Sequence, residues 1–314
     1  MTQAPRVLVV AATHGNERCA AWLLECWQAQ PTALLSAGLD LALEIGNPAA
    51  HACNRRYIDR DLNRSFSLDL LGDPSAQNAE TVRARELLAL HGPNGERPAS
   101  VVVDLHSTTS AMGNALVVYG RRPADLALAA SIQGQLGIPV YLHEADPAQS
   151  GFLIERWPCG LVIEVGPVAQ GLIDPGICRQ TQLALEAALA AIAAAWRGES
   201  RLPPRLVVHR HRGSLDLPRR GDGSPLACLD PRRQGRDWQP MRPGDPLFLG
   251  LDGQPIPYVP SPALAGETVY PVFINEAAYG EKGIALSLTS REIWPVDPRW
   301  GEAFSLALQR GEPL

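Results

Sequence analysis

The sequence predicts an α/β protein: a mixed sheet flanked by helices over residues 1–200, followed by a smaller β-rich domain over 201–314. Two observations carry this. Short apolar runs alternate with segments of helical period through the first part, the pattern of strands buried under covering helices. After Glu199 the prolines crowd, helical periodicity fades, and short strand-like runs lie between Pro/Gly turns. The composition, 46% hydrophobic and 19% charged, is that of a chain able to bury a sizeable core.

Taken in order, Val7–Ala12, Leu39–Ile45, Val101–Leu105, Ala115–Tyr119 and Leu161–Val165 read as buried strands. The stripe Trp22, Leu23, Cys26 and Trp27 predicts a helix after the first strand. Leu128, Ile132 and Leu136 predict another, and Leu185, Leu189, Ile192 and Trp196 a long Ala-rich one. In the second domain Arg205–His209 and Val269–Ile274 read as strands. The boundary falls near Gly198–Pro204.

Net charge is -5 with a pI near 5.8, which leaves no basic stripe for a phosphate backbone and argues against nucleic-acid binding. An anionic ligand therefore needs locally placed arginines. The six cysteines form no C-x-x-C pair and read as free thiols of a reducing compartment. With no leader-like start and no membrane-length apolar run, the expected address is cytoplasmic, with no membrane partner. A homo-oligomer, a dimer, is the default for such a chain.

Three clusters carry chemistry. In Thr13-His14-Gly15-Asn16-Glu17, the first strand ends in a histidine and a glutamate three apart, a spacing that in a helical turn puts both on one side of a shared metal. Taken alone, Glu17 is equally an acid favoured at a helix N-terminus. Asp104-Leu105-His106 closes another strand and offers a third ligand, with Asp104 on the same face to orient it. The hydroxyl run Ser107–Ser110 behind it could equally make this a polar turn. Arg56–Arg64 packs three arginines, two aspartates and an asparagine together. Arginine grips a carboxylate by two parallel hydrogen bonds, whereas the bland alternative is a self-neutralised surface loop. Finally, Glu164 interrupts the apolar run Leu161-Val162-Ile163 just before Gly166-Pro167. A buried strand rarely carries an unpartnered carboxylate, and a partly desolvated glutamate suits general-base work beside a metal; an exposed strand end is the alternative. No nucleophile elbow, P-loop or dinucleotide fingerprint is present.

Together these segments, with Tyr270–Lys282 (YPVFINEAAYGEK), resemble the aspartoacylase branch of the aspartoacylase/succinylglutamate desuccinylase family, itself similar to zinc carboxypeptidases. The five stretches occur in family order and span nearly the whole chain. The resemblance implies a zinc-carboxypeptidase-like catalytic domain and one zinc ion on His14, Glu17 and His106. It implies Glu164 as general base and proton donor, with Arg56 polarising the acyl carbonyl. Asn63, Arg64 and Tyr279 would hold the amino acid's carboxylate, and the second domain would narrow the cavity mouth. The implied reaction is deacylation of an N-acyl amino acid, first of all N-acetyl-L-aspartate. One departure stands out. The family's arginine for a second carboxylate, expected upstream of the glutamate, is replaced by Pro147-Ala148-Gln149-Ser150-Gly151-Phe152, and the next arginine is Arg156. Either Arg156 substitutes, or the pocket suits an aromatic or apolar side chain near Phe152. A binding protein that has lost turnover is the non-enzymatic alternative. His51, His91, His143, His209 and His211 receive no role.

Overall fold

A computed structural model describes residues 4–144 and 149–309. In chain order the strands and helices are β1 (Arg6–Ala11), α1 (Arg18–Ala29), β2 (Asp40–Ile45), α2 (Pro48–Ala52), α3 (Leu68–Gly72), α4 (Ala79–His91), β3 (Val101–Ser107), β4 (Gly113–Tyr119), α5 (Pro123–Leu136), β5 (Val140–His143), β6 (Cys159–Gly166) and α6 (Pro175–Trp196). The second region adds β7 (Arg205–Leu215), β8 (Ala227–Leu229), β9 (Pro246–Gly250), β10 (Pro255–Pro257), β11 (Tyr270–Val272), β12 (Leu286–Pro295) and α7 (Pro298–Gln309).

Nine strands form one mixed sheet in the order β11-β12-β7-β5-β4-β6-β3-β1-β2, and β10-β9-β8 form a small antiparallel sheet. β1 runs parallel to β2 and β3, and β3 to β6, whereas β4 runs antiparallel to β6. Period-2 alternation sorts the side chains onto two faces. Val7, Val9, Val101, Val103, Leu161 and Ile163 pack in one core with α1, α5, α6 and α7. Leu8, Val10, Val102, Val117 and Val162 enter a second core with residues of α4 and with Leu62, Phe66 and Trp157. The same alternation turns Asp104, His106 and Glu164 onto this second face, at the C-terminal ends of β3 and β6. Each fully buried valine or leucine here contributes about 1.5–3 kcal/mol, so a polar group among them persists only where something compensates it.

The second region begins inside the large sheet rather than beside it, because β7 pairs parallel with β5 and antiparallel with β12. Its own core gathers Met241, Leu247, Phe248, Tyr258, Val269 and Leu286. The last helix, α7, is one that the proline-rich texture hid from periodicity. It returns to the first core through Phe304, Ala307 and Leu308. No helix among the described residues is long and apolar enough to cross a membrane.

Candidate active site

The site begins with a strained turn. Ala12 takes φ 52 at the end of β1, and the Glu17 amide donates to the His14 carbonyl at 3.1 Å. His14 and Glu17 therefore converge across a tight turn ahead of α1, not along a helical face as the spacing alone suggests. A Cβ on Gly15 would meet the Ala50 carbonyl carbon and the His51 nitrogen at 2.2 Å, so only glycine lets α2 seat against this turn.

His14, Glu17 and His106 are all buried, with ligand atoms within 4.8 Å of one another. The outer nitrogen of each imidazole is tied to a carboxylate: His14 Nε2 to Asp61 Oδ1 at 3.0 Å and His106 Nε2 to Asp104 Oδ2 at 2.7 Å. Thr13 Oγ1 donates to the other Asp104 oxygen at 2.7 Å. Such partners fix the tautomer, placing the proton on Nε2. The two Nδ1 lone pairs then face each other at 3.1 Å, with Glu17 oxygens 2.6 Å from His14 Nδ1 and 3.0 Å from His106 Nδ1. Three groups able to ligate a metal thus converge on one buried spot, an arrangement that a cation would stabilise. The donor set, two imidazoles and a carboxylate, is that of catalytic zinc. Burial alone would raise the Glu17 pKa, but His14 and His106 outweigh it and hold the carboxyl far below the usual range.

Glu164 is the parallel-strand partner of His106, so both side chains stand on the same face. Burial pushes its carboxyl well above the usual range and the Glu17 and Glu276 carboxylates add to this, against the opposing pull of His106 and Arg56. Arg56 lies 3.6 Å from Glu17 Oε1 and 3.3 Å from Asp61 Oδ2. Desolvation works against its charge, and those two carboxylates more than restore it.

One cavity of ≈ 60 Å³ brings together His14, Glu17, His106, Arg56, Glu164, Asn63, Arg64 and Tyr279. Asn63 Oδ1 accepts from the Leu153 amide at 2.8 Å, which fixes its side chain. Arg64 lies 4.2 Å over the Phe152 ring and donates to Gln149 Oε1 at 2.8 Å. Arg156 does not line the cavity. It ends the 3-10 turn Leu153–Arg156, before β6 begins at Cys159. In the replaced stretch Pro147–Phe152, Pro147 and Ala148 lie outside the described residues; Phe152 and Gln149 line the cavity.

Several contributors escaped sequence reasoning. Asp61 pairs with Arg56 and also holds His14. Its neighbour Asp59 instead accepts from the Ala79 amide at the start of α4. Glu276, buried, accepts from the Thr108 and Thr109 hydroxyls and the Thr109 amide, clamping the hydroxyl run behind His106 from the second region. Asp237 Oδ1 accepts from the Ile274 amide at 3.1 Å, between Phe273 and Asn275, both at positive φ. Tyr119, Tyr141, His143 and Phe273 also line the cavity. An aspartate inside RYIDRDLNR and a glutamate inside NEAAY were the available signals; the aromatics carried none.

Residues 3–192 match the succinylglutamate desuccinylase/aspartoacylase catalytic domain, and residues 204–291 match the AstE/AspA barrel-sandwich hybrid domain. The chain belongs to this family. A probable aspartoacylase of Parasynechococcus marenigrum is 59% identical over 95% of this chain and 96% of its own length. One from Prochlorococcus marinus (strain MIT 9313) is 54% identical over 94% and 95%. Among solved structures, murine aminoacylase 3 superposes with a TM-score of 0.83 at 33% identity, covering 94% of this chain and 98% of that one. With the buried triad, membership in the aspartoacylase branch makes the protein a metal-dependent amidohydrolase of N-acyl amino acids.

Proposed function

We propose that the protein hydrolyses N-acyl amino acids with one zinc ion held by His14, Glu17 and His106, and that N-acetyl-L-aspartate is its leading substrate. The observation that carries this is the convergence of His14, Glu17 and His106 beside Glu164 and Arg56 in one cavity. The zinc supplies Lewis acidity to water and to the acyl carbonyl. Glu164, its carboxyl desolvated, takes the proton of the attacking water and returns it to the leaving amine. Arg56 lies close enough to the triad to stabilise the developing oxyanion. Arg64, with Asn63 and Tyr279, receives the amino acid's own carboxylate. The names of the relatives favour aspartate as the amino acid. The six free cysteines suit the reducing cytoplasm expected from sequence.

A second reading of the side chain rests on the cavity lining. Among the described residues its arginines and lysines are Arg56 and Arg64 alone, and the scheme assigns both. Tyr119 and Phe152 stack at 3.6 Å, with Tyr141 and Phe273 alongside, a surface that suits an aromatic or apolar side chain. Zinc content and amine release from N-acetylaspartate, N-acetylglutamate, N-succinylglutamate, N-acetylphenylalanine and N-acetylmethionine decide the matter. Fastest chelator-sensitive turnover of N-acetylaspartate upholds the leading substrate; preference for the aromatic or thioether substrate replaces it. Absence of zinc and of all turnover sinks the hydrolase reading.

A further inference from the structure

The sheet carries into the catalytic cavity a cluster of ring side chains that take no part in the hydrolysis. Tyr119 on β4 and His143 on β5 are register partners, and Tyr141 stands two residues before His143 on the same face. All three line the cavity together with Phe152. Glu164 is paired with Ala115, four residues before Tyr119 on β4, so the cluster is displaced along the strand from the catalytic carboxylate. Phe152 stacks on Tyr119 at 3.6 Å and carries the Arg64 guanidinium 4.2 Å over its ring. The His143 ring, buried, meets Phe152 edge-on at 5.5 Å and Tyr119 at 5.8 Å. The His211 ring lies 5.0 Å from that of His143, and its Nδ1 contacts the Tyr141 hydroxyl at 2.8 Å.

We propose that His143 recognises the substrate's side chain and selects one that ends in a second carboxylate. The inference rests on the hydrolase reading above, in which Arg64, with Asn63 and Tyr279, holds the amino acid's own carboxylate. An N-acylated dicarboxylic amino acid brings one more carboxylate into a lining whose arginines and lysines, among the described residues, are Arg56 and Arg64 alone. A carboxylate enclosed by aromatic rings is costly unless it is hydrogen-bonded or paired. The imidazole supplies that partner, since it donates one N–H when neutral and two when charged. Burial pushes the Tyr119 hydroxyl well above its usual range, so it remains a protonated donor next to His143. Arg64 and His143 both contact the Phe152 ring, so the two receivers stand one ring apart, as the two carboxylates of a short amino dicarboxylate require. An apolar side chain would be served as well by a lining with no histidine in it.

The test compares N-acetyl-L-aspartate with N-acetyl-L-leucine, which carries two methyl groups where aspartate carries two oxygens. In the zinc-loaded full chain, the ratio of kcat/KM for the first over the second should fall about 10–100-fold in His143→Phe, the scale of a hydrogen bond to a charged group. His143→Gln, which keeps an N–H donor without a charge, should fall in between. Binding of L-aspartate, followed by calorimetry, should weaken in the same order and reads the contact without turnover. Equal losses on both substrates, or an unchanged ratio, mean that the ring only fills space; either result overturns the proposal and leaves the hydrolase reading standing. A wild-type protein that favours N-acetyl-L-leucine overturns aspartate as leading substrate and this proposal together. Should neither substrate turn over, the hydrolase reading falls and calorimetry decides: aspartate binding that is absent, or as tight in His143→Phe as in the wild type, overturns the proposal too. Should His143→Phe fail to fold, the ratio in His143→Gln decides, and no fall in it counts against the proposal.

Discussion

The two ends of the catalytic cavity are built differently. At the metal end, His106 and Glu164 sit on paired central strands and Asp104 is wholly buried beneath them. On the side proposed to hold substrate, Arg64, Phe152, Phe273 and Tyr279 come from four separate turns and loops, two of them in the second region. Loops vary and open more readily than central strands. The contrast teaches that one end is fixed for chemistry by the sheet, whereas the other is assembled from adjustable pieces, so mutations at the two ends should read out differently.

The largest effect belongs to the metal end. Glu164→Gln should lower kcat by about 10²–10⁴ while metal content by atomic absorption stays at the wild-type level. A variant with near-normal kcat would remove Glu164 from the proton transfers. Arg56→Ala should cost about 10²–10³ in kcat, more than it costs in KM; a pure KM effect would move Arg56 to the substrate end. Asp104→Asn tests the support beneath the metal. It should weaken metal affinity about 10–100-fold in a chelator competition, with substrate KM unchanged once the metal is saturating.

The smallest effect belongs to the outer rim. Lys282 lies 3.8 Å from Asp61 Oδ2, and burial together with Arg64 pushes its pKa down to about 8. A lysine with a lowered pKa is charged below that value and neutral above it. Its attraction for an anionic substrate should therefore fade as pH rises through about 8, raising KM by roughly two- to fivefold, the scale of one partly exposed charge. Lys282→Met should flatten that part of the KM profile and leave kcat in place. A KM profile identical in the two proteins would mean that Lys282 does not contribute to substrate capture.

How much of this was legible in the sequence depended on how local each feature is. The strands around His14, His106 and Glu164 were legible because alternation and apolar runs are properties of neighbouring residues. The helix α7 was not, since its amphipathic stripe is short and lies in a proline-rich stretch. Arg156 came into question only as the next arginine before Glu164, nearer to it than the family spacing, and it is not among the residues that line the cavity.

The sequence by itself determined the donor types, the carboxylate at the end of a buried strand and the α/β order, because these depend on residue identity and short-range period. The tertiary structure alone decided that the His14 and Glu17 donors meet across a glycine turn seated on α2. It also decided that Asp61 orients the His14 imidazole and that Glu276 grips the hydroxyl run from another region. Those contacts join residues that lie from three to 168 positions apart. Most of them exist only once sheet pairing and the second region's packing have brought distant segments together, and no local pattern in the chain encodes that closure.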